Sequence, residues 1–176
     1  MLTRVNVLIP DTTVVEDTAI IEDNVEIGEN CYIGHYSIIR SNTQIGDNSD
    51  IRAFCFLAGD IVIGKFTKIF QYSNISKGSR IGNSVYIGPK VLMTNTRRIG
   101  WRRNYPPKIS APRILDGARV CSGAILMPGI TVGRDVLIGA GSLVDRDVPD
   151  FQVWFGSPAR RRGFIESNET CVDELR

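Results

Sequence analysis

The sequence predicts an all-β fold, a parallel solenoid of very short strands, and three observations carry the prediction. Stepping by six from Ile9 meets Val15, Ile21, Ile27, Ile33, Ile39, Ile45, Ile51, Leu57, Ile63, Ile69, Ile75, Ile81, Ile87 and Met93, fifteen apolar residues in one unbroken frame. With about 28% of the chain Val, Ile, Leu or Met, such a run arises by chance roughly once in 10⁸ per frame, so the period is a property of the fold. Four residues after each comes a small or β-branched residue, among them Thr13, Cys31, Ser37, Ser49, Cys55, Thr67 and Ser73, and Gly often follows the aliphatic, as at Gly28, Gly46, Gly64 and Gly82. A six-residue unit of this form is a short strand plus a bend, with glycine expected to ease the backbone round the corner.

The frame breaks after Met93 and resumes as Ile114, Val120, Leu126, Val132, Ile138 and Val144, making about twenty-one repeats. Between them, Thr94 to Arg113 forms an inserted loop carrying Arg97, Arg98, Arg102, Arg103, Lys108 and Arg113 and no acidic residue. A loop of that length without its own periodicity reads as a functional lid, with Trp101 and Tyr105 to pack or stack and guanidinium groups to neutralise phosphates. Past Val144 the apolar run Phe151-Gln-Val-Trp154-Phe155 is expected to cover the open last coil. The division is a β-helix domain over 1–150 with its insertion at 94–113, and a cap and short polar tail over 151–176. Cys31 and Cys55 occupy small-residue slots and read as packed thiols. The four cysteines match no zinc or CxxC spacing.

Composition bounds the function. Twenty-one Lys+Arg against 19 Asp+Glu give a net charge of +2, which is +6 from the loop set against −4 from the rest, so a nucleic-acid partner is not expected. No apolar run reaches the roughly 18 residues of a membrane span and no leader pattern opens the chain, so a cytoplasmic protein is expected. A single His excludes a metal site of three imidazoles, and no metal is expected. Outward positions read as charged and irregular, unlike the Thr ladders of an ice-binding solenoid.

The stretch Tyr86-Ile87-Gly88-Pro89-Lys90-Val91-Leu92-Met93-Thr94-Asn95, a loop with Tyr105-Pro106, then Pro112-Arg113-Ile114 and Gly129-Ile130-Thr131-Val132-Gly133, resembles the left-handed β-helix acetyltransferases that act on nucleotide-linked amino sugars. Asp147-Val148-Pro149 and Gly156-Ser157-Pro158-Ala159-Arg160 resemble their closing segment, so the likeness runs from about Ile9 to Ile165. It implies three hexapeptides per coil, so about seven triangular coils, the left hand of the coil, and a homotrimer with sites between subunits. It also implies an acetyl-CoA-dependent transfer to the amine of a UDP- or dTDP-linked amino sugar, serving surface polysaccharide or glycan biosynthesis. Where the subgroup has a Trp-His-Phe-like stretch this chain reads Gly34-His35-Tyr36-Ser37, and for Gln-Asn-Asn it reads Phe70-Gln71-Tyr72.

Such an enzyme must place the amine near the thioester carbonyl, polarise that carbonyl and handle one proton. Asn95, where coil becomes lid, is expected to hydrogen-bond the amine or an adjacent sugar hydroxyl. His35, about three coils and roughly 16 Å along the axis from Asn95, reads as a distal contact, whereas Gln71 and Tyr72, roughly 6 Å away axially, read as better placed. Tyr36, Asn74, Arg97, Arg98 and Tyr105 complete the expected acceptor site. For CoA, the resemblance implies a groove along the C-terminal coils, with backbone around Gly123, Ala124, Ala140 and Gly141 meeting the pantetheine and Arg146, Arg160 and Arg161 meeting its phosphates. Rival readings are an O-acetyltransferase, which would use a histidine base, and a non-catalytic scaffold.

Overall fold

The structure, a computed structural model, describes residues 6–171, so the outer ends of both expected domains, 1–5 and 172–176, lie outside the described residues. Its core is the three-sided left-handed β-helix. The first face stacks Val14–Val15, Tyr32–Ile33, Asp50–Ile51, Lys68–Ile69, Tyr86–Ile87, Arg119–Val120 and Leu137–Ile138 in parallel register. The second stacks Ile20–Ile21, Ile38–Ile39, Phe56–Leu57, Asn74–Ile75, Leu92–Met93, Ile125–Leu126 and Leu143–Val144. The third stacks Glu26–Ile27, Gln44–Ile45, Val62–Ile63, Arg80–Ile81, Arg113–Ile114 and Thr131–Val132.

Each strand is two residues long, one side chain outward and one inward, because six residues suffice only for one pleat and one corner. The inward residues form a single apolar column in which Ile33, Ile51, Ile69, Ile75 and Ile87 are completely buried. Stacked neighbours are 18 residues apart, and across the insertion Asn83 reaches Asp116, 33 residues on. Arg80 then pairs with Arg113 and Ile81 with Ile114, so the helix continues in register below the loop.

Two details differ from the sequence reading, each for a physical reason. The small slots are hydrogen-bonded rails as well as narrow packing. Buried Ser49 donates to Gly64 O at 2.9 Å and accepts from Thr67 N at 3.0 Å, while Thr67 repeats the pattern with Gly82 O and Val85 N. Each hydroxyl thus ties two corners at once, which removes the cost of burying it. Cys31 and Cys55 sit in the same slots with sulfurs on corner carbonyls, and burial pushes the Cys55 thiol up to about 11.

The glycines after the aliphatics also differ. Left-handed backbone falls later in the corner, on residues such as Asn24, Asn42 and Asn48, where Asn is the tolerant side chain. Gly64 is instead needed for close approach: a Cβ there would collide with Asn83 Oδ1, which accepts the Lys65 amide at 2.8 Å.

The C-terminal cap is an antiparallel hairpin of Gln152–Gly156 and Ala159–Phe164 whose first strand pairs with Leu137–Ile138. Trp154 is 8% exposed and seals the interior beside Ile138. A short 3-10 turn, Ser167–Glu169, follows.

Candidate functional site: a groove beneath a basic arm

The inserted segment leaves the prism at the edge between the second and third faces. It is a two-stranded arm, Thr96–Arg98 antiparallel to Lys108–Ile109, and all five of these residues are exposed. The sequence offered no strand signal there, because an arm with both sides in solvent has no buried face to impose an alternation. Arg98 lies over the Tyr105 ring at 3.7 Å, and the Tyr105 hydroxyl donates to Ile99 O at 3.2 Å. Among the described residues none of the six cations between Arg97 and Arg113 makes an ion pair. Trp101 is 79% exposed.

Under the arm is a groove of about 410 Å³ lined by Ala58, Asn74, Ser76, Lys77, Met93, Thr94, Asn95, Thr96 and Ile99. Asn95 is fixed by its neighbours. Its amide nitrogen donates to Lys77 O at 3.0 Å, its side-chain oxygen accepts from Thr96 Oγ1 at 3.3 Å, and its carbonyl accepts from Ser110 N at 2.7 Å. One amide N–H and one oxygen lone pair stay available to a ligand. Lys77 Nζ lies 3.0 Å from Asp60 Oδ2, and hydrogen bonding from Asn42, then Lys77, holds the Asp60 carboxyl below the ordinary carboxylate range. The structure therefore brings Asn74 and Asn95 together and adds Ser76 and Lys77, which sequence reasoning missed. Their positions 18 residues above Thr94 and Asn95 were the available signal.

Gln71 and Tyr72 are not beside Asn95. They turn the edge between the first and second faces, one full face of the prism away, so their small axial offset does not bring them to the groove of their own chain. On that edge Tyr36, Phe54 and Tyr72 stack at 5.1 and 5.0 Å, all with left-handed backbone and all exposed. His35 heads this ladder, with Nε2 at 3.3 Å from Glu16 and Nδ1 at 2.9 Å from the Thr18 hydroxyl. Glu16 also accepts from the Tyr32 hydroxyl at 2.9 Å, which pushes the Tyr32 phenol up. Both His35 nitrogens are thus engaged within the N-terminal coils.

Further down the same edge the aromatic rings give way to Lys90, Gly123 and Gly141. A Cβ on Gly141 would meet nothing within 4 Å, leaving bare backbone along the edge. Ala140 is exposed beside it. Ala124 departs from expectation: it faces the interior, fully buried, with its N–H donating to Cys121 O and its C=O accepting from Leu92 N. Arg146 and Arg160 meet on one carboxylate, 3.0 and 3.2 Å from Asp145 Oδ1, and these guanidinium groups hold the Asp145 carboxyl below its usual range. Arg161 lies over Phe164 at 5.1 Å. The second face also corrects the sequence reading of its surface: Ile20, Ile38, Phe56, Leu92, Ile125 and Leu143 form an outward apolar column broken only by Asn74.

Among the described residues no group of His, Cys, Asp or Glu could hold a metal, and no helix is long and apolar enough to cross a membrane.

Comparison with known proteins bears on this architecture. A family model described as the GMPPB C-terminal domain matches residues 3–102, and one described as the hexapeptide repeat of succinyl-transferase matches residues 116–146. Serine acetyltransferase of Bacillus subtilis is 37% identical over 122 residues, covering 62% of this chain and 55% of that protein. The dTDP-3-amino-3,6-dideoxy-α-D-galactopyranose 3-N-acetyltransferase of Aneurinibacillus thermoaerophilus is 32% identical over 60 residues, covering 34% and 31%. The chain spans about half the length, or less, of the curated relatives it matches. Among solved structures, a point mutant of AntD, an N-acyltransferase from Bacillus cereus in complex with dTDP and coenzyme A, superposes with a TM-score of 0.57 at 18% identity, covering 93% of this chain and 86% of that one. With more than half of its length matched, the chain belongs to the family of the GMPPB C-terminal domain and carries the left-handed hexapeptide β-helix.

Proposed function

We propose that the chain is an acetyltransferase that moves an acetyl group from acetyl-CoA to the amine of a nucleotide-linked amino sugar, working as a homotrimer. The observation that carries the reading is the groove beneath the basic arm, whose polar lining consists of amides, hydroxyls and one ammonium set among Ala58, Met93 and Ile99, with no imidazole. That donor and acceptor set suits an amine, which attacks a thioester without a strong base, better than a hydroxyl, which needs one. The amine nitrogen forms its bond to the acetyl carbon, the carbon–sulfur bond breaks, and the departing thiolate takes the proton that nitrogen loses. Asn95 orients the amine through its free oxygen lone pair, and the arm cations attract the nucleotide phosphates. The bare edge at Gly123 and Gly141 suits an extended pantetheine, while Asp145 offsets part of the charge that Arg146 and Arg160 present to CoA phosphates.

The names of the relatives support acetyl transfer in general; both an amino-sugar enzyme and a serine enzyme are among them. For O-acetyl transfer the one imidazole, on His35, is committed to Glu16 and Thr18 on another edge. The apolar column of the second face supports self-association.

The test is release of free CoA thiol with a panel of UDP- and dTDP-linked amino sugars, hydroxyl acceptors serving as the contrast. Turnover only with hydroxyl acceptors, or no CoA binding at all, overturns the reading. Asn95→Ala is expected to lower kcat at least about 100-fold with CoA affinity unchanged, and an unaltered rate removes Asn95 from the site.

A further inference from the structure

We propose that Lys77 and Asp60 act as a pair that sets the protonation of the acceptor amine, Lys77 as a cation beside it and Asp60 as the counter-charge that tempers that cation. The inference rests on the groove being the acceptor site.

Along the edge between the second and third faces runs a one-way amide ladder. Asn6 donates to Asn24 at 3.3 Å, Asn24 to Asn42 at 3.4 Å, and Asn42 to Asp60 Oδ1 at 2.9 Å. An Asn at position 60 would accept that last bond equally well and continue the ladder. What Asp adds is a negative charge, and its second oxygen is spent on Lys77 Nζ at 3.0 Å. The next slot in the stack is Gly78, with φ of +87°, so no side chain follows to separate this pair from the groove. Lys77 is tied to the site through its backbone as well, since its carbonyl holds the Asn95 amide.

The chemistry gives the pair a task. An alkyl amine is largely protonated near neutral pH, and only the neutral form is a nucleophile. A cation close by disfavours a second cation, so Lys77 raises the neutral fraction of the acceptor amine, and Asp60 limits the repulsion that the same cation exerts on substrate arriving protonated. The other charged groups around the pair are Arg80, which donates to Asp60 O at 2.7 Å, the Glu22–Arg40 ion pair at 3.0 Å higher on the second face, and Arg97 and Arg98, which lie in sequence between the groove residues Thr96 and Ile99.

The experiment is the pH dependence of kcat at saturating amino-sugar nucleotide, which reports groups ionising in the bound complex, on the full chain, for wild type, Asp60→Asn and Lys77→Gln. Asp60→Asn is expected to move the acid limb down by at least about half a pH unit, and Lys77→Gln to move it up by a similar amount. Lys77→Arg, which keeps the charge, is expected to restore the wild-type limb. Both pair members are well exposed, so melting temperature is expected to change little. A purely structural pair would lower the rate in both variants with the limbs unmoved, or move them the same way, and either result overturns the inference. If wild type turns over no amino-sugar nucleotide, the acceptor-site reading falls and the inference falls with it, whereas unmoved limbs in an active enzyme overturn the inference alone.

Discussion

At the scale of single residues, the interior is stabilised by two kinds of atom in alternation: aliphatic carbons that fill the prism and hydroxyls that tie its corners. Thr67 shows the second kind. Its Oγ1 bridges Gly82 O and Val85 N while fully buried. Replacing it with Val keeps shape but leaves both backbone partners unpaired, and is expected to cost about 1–3 kcal/mol, read as a lower melting temperature. A change within a few tenths of a kcal/mol would show that the rail is only steric. The slot itself was legible in the sequence as a recurrence of small residues. Its polarity was not, because Cys31, Val25 and Val91 occupy equivalent positions without a hydroxyl and the pattern alone reads as size.

Among the elements, the arm stands apart from the coils that carry it. Coil strands are held by ladders above and below, whereas the arm has only its own partner strand and presents Ile99, Trp101 and Ile109 to solvent at 70%, 79% and 58% exposure. Among the described residues its cations form no ion pair, which suits a phosphate ligand. Changing Arg97, Arg98, Arg102 and Arg103 together to Gln is expected to raise KM for a nucleotide-linked sugar at least about 10-fold and to flatten its salt dependence, with the melting temperature little altered. A steady-state titration at two ionic strengths checks this, and an unchanged KM would return the arm to a solvated excursion. Its charge was evident in the chain order; its hairpin form was not, since neither strand has a buried side.

For the molecule as a whole, charge is arranged as carboxylates pinned along edges: Glu22 by Ser41 and Arg40, Asp47 by Lys65 and the Glu29 amide, Asp60 by Asn42 and Lys77, Asp145 by Arg146 and Arg160. Each is held below its ordinary pKa in the folded state, so the unfolded chain binds more protons as acid is added. Their contribution is present above the ordinary carboxylate range near 4 and is lost as pH falls through the lower folded values. Melting temperature is expected to stay level from about pH 7 to 5 and to fall progressively below about pH 4, tempered by solvent screening because all four are partly exposed. A melting temperature that stayed level to pH 2 would contradict it. The sequence by itself determined the coil, its interior and its number of repeats, because a six-residue period repeated over most of the chain admits one way to bury its aliphatics. Only the tertiary structure decided which edge each outward residue occupies. Height along the axis follows from distance in sequence, but azimuth follows from position within the 18-residue turn, and the insertion resets that count. Tyr72 and Asn95 are therefore close in height and a face apart, while Lys77 meets Asn95 because the stack sets one corner directly on the next.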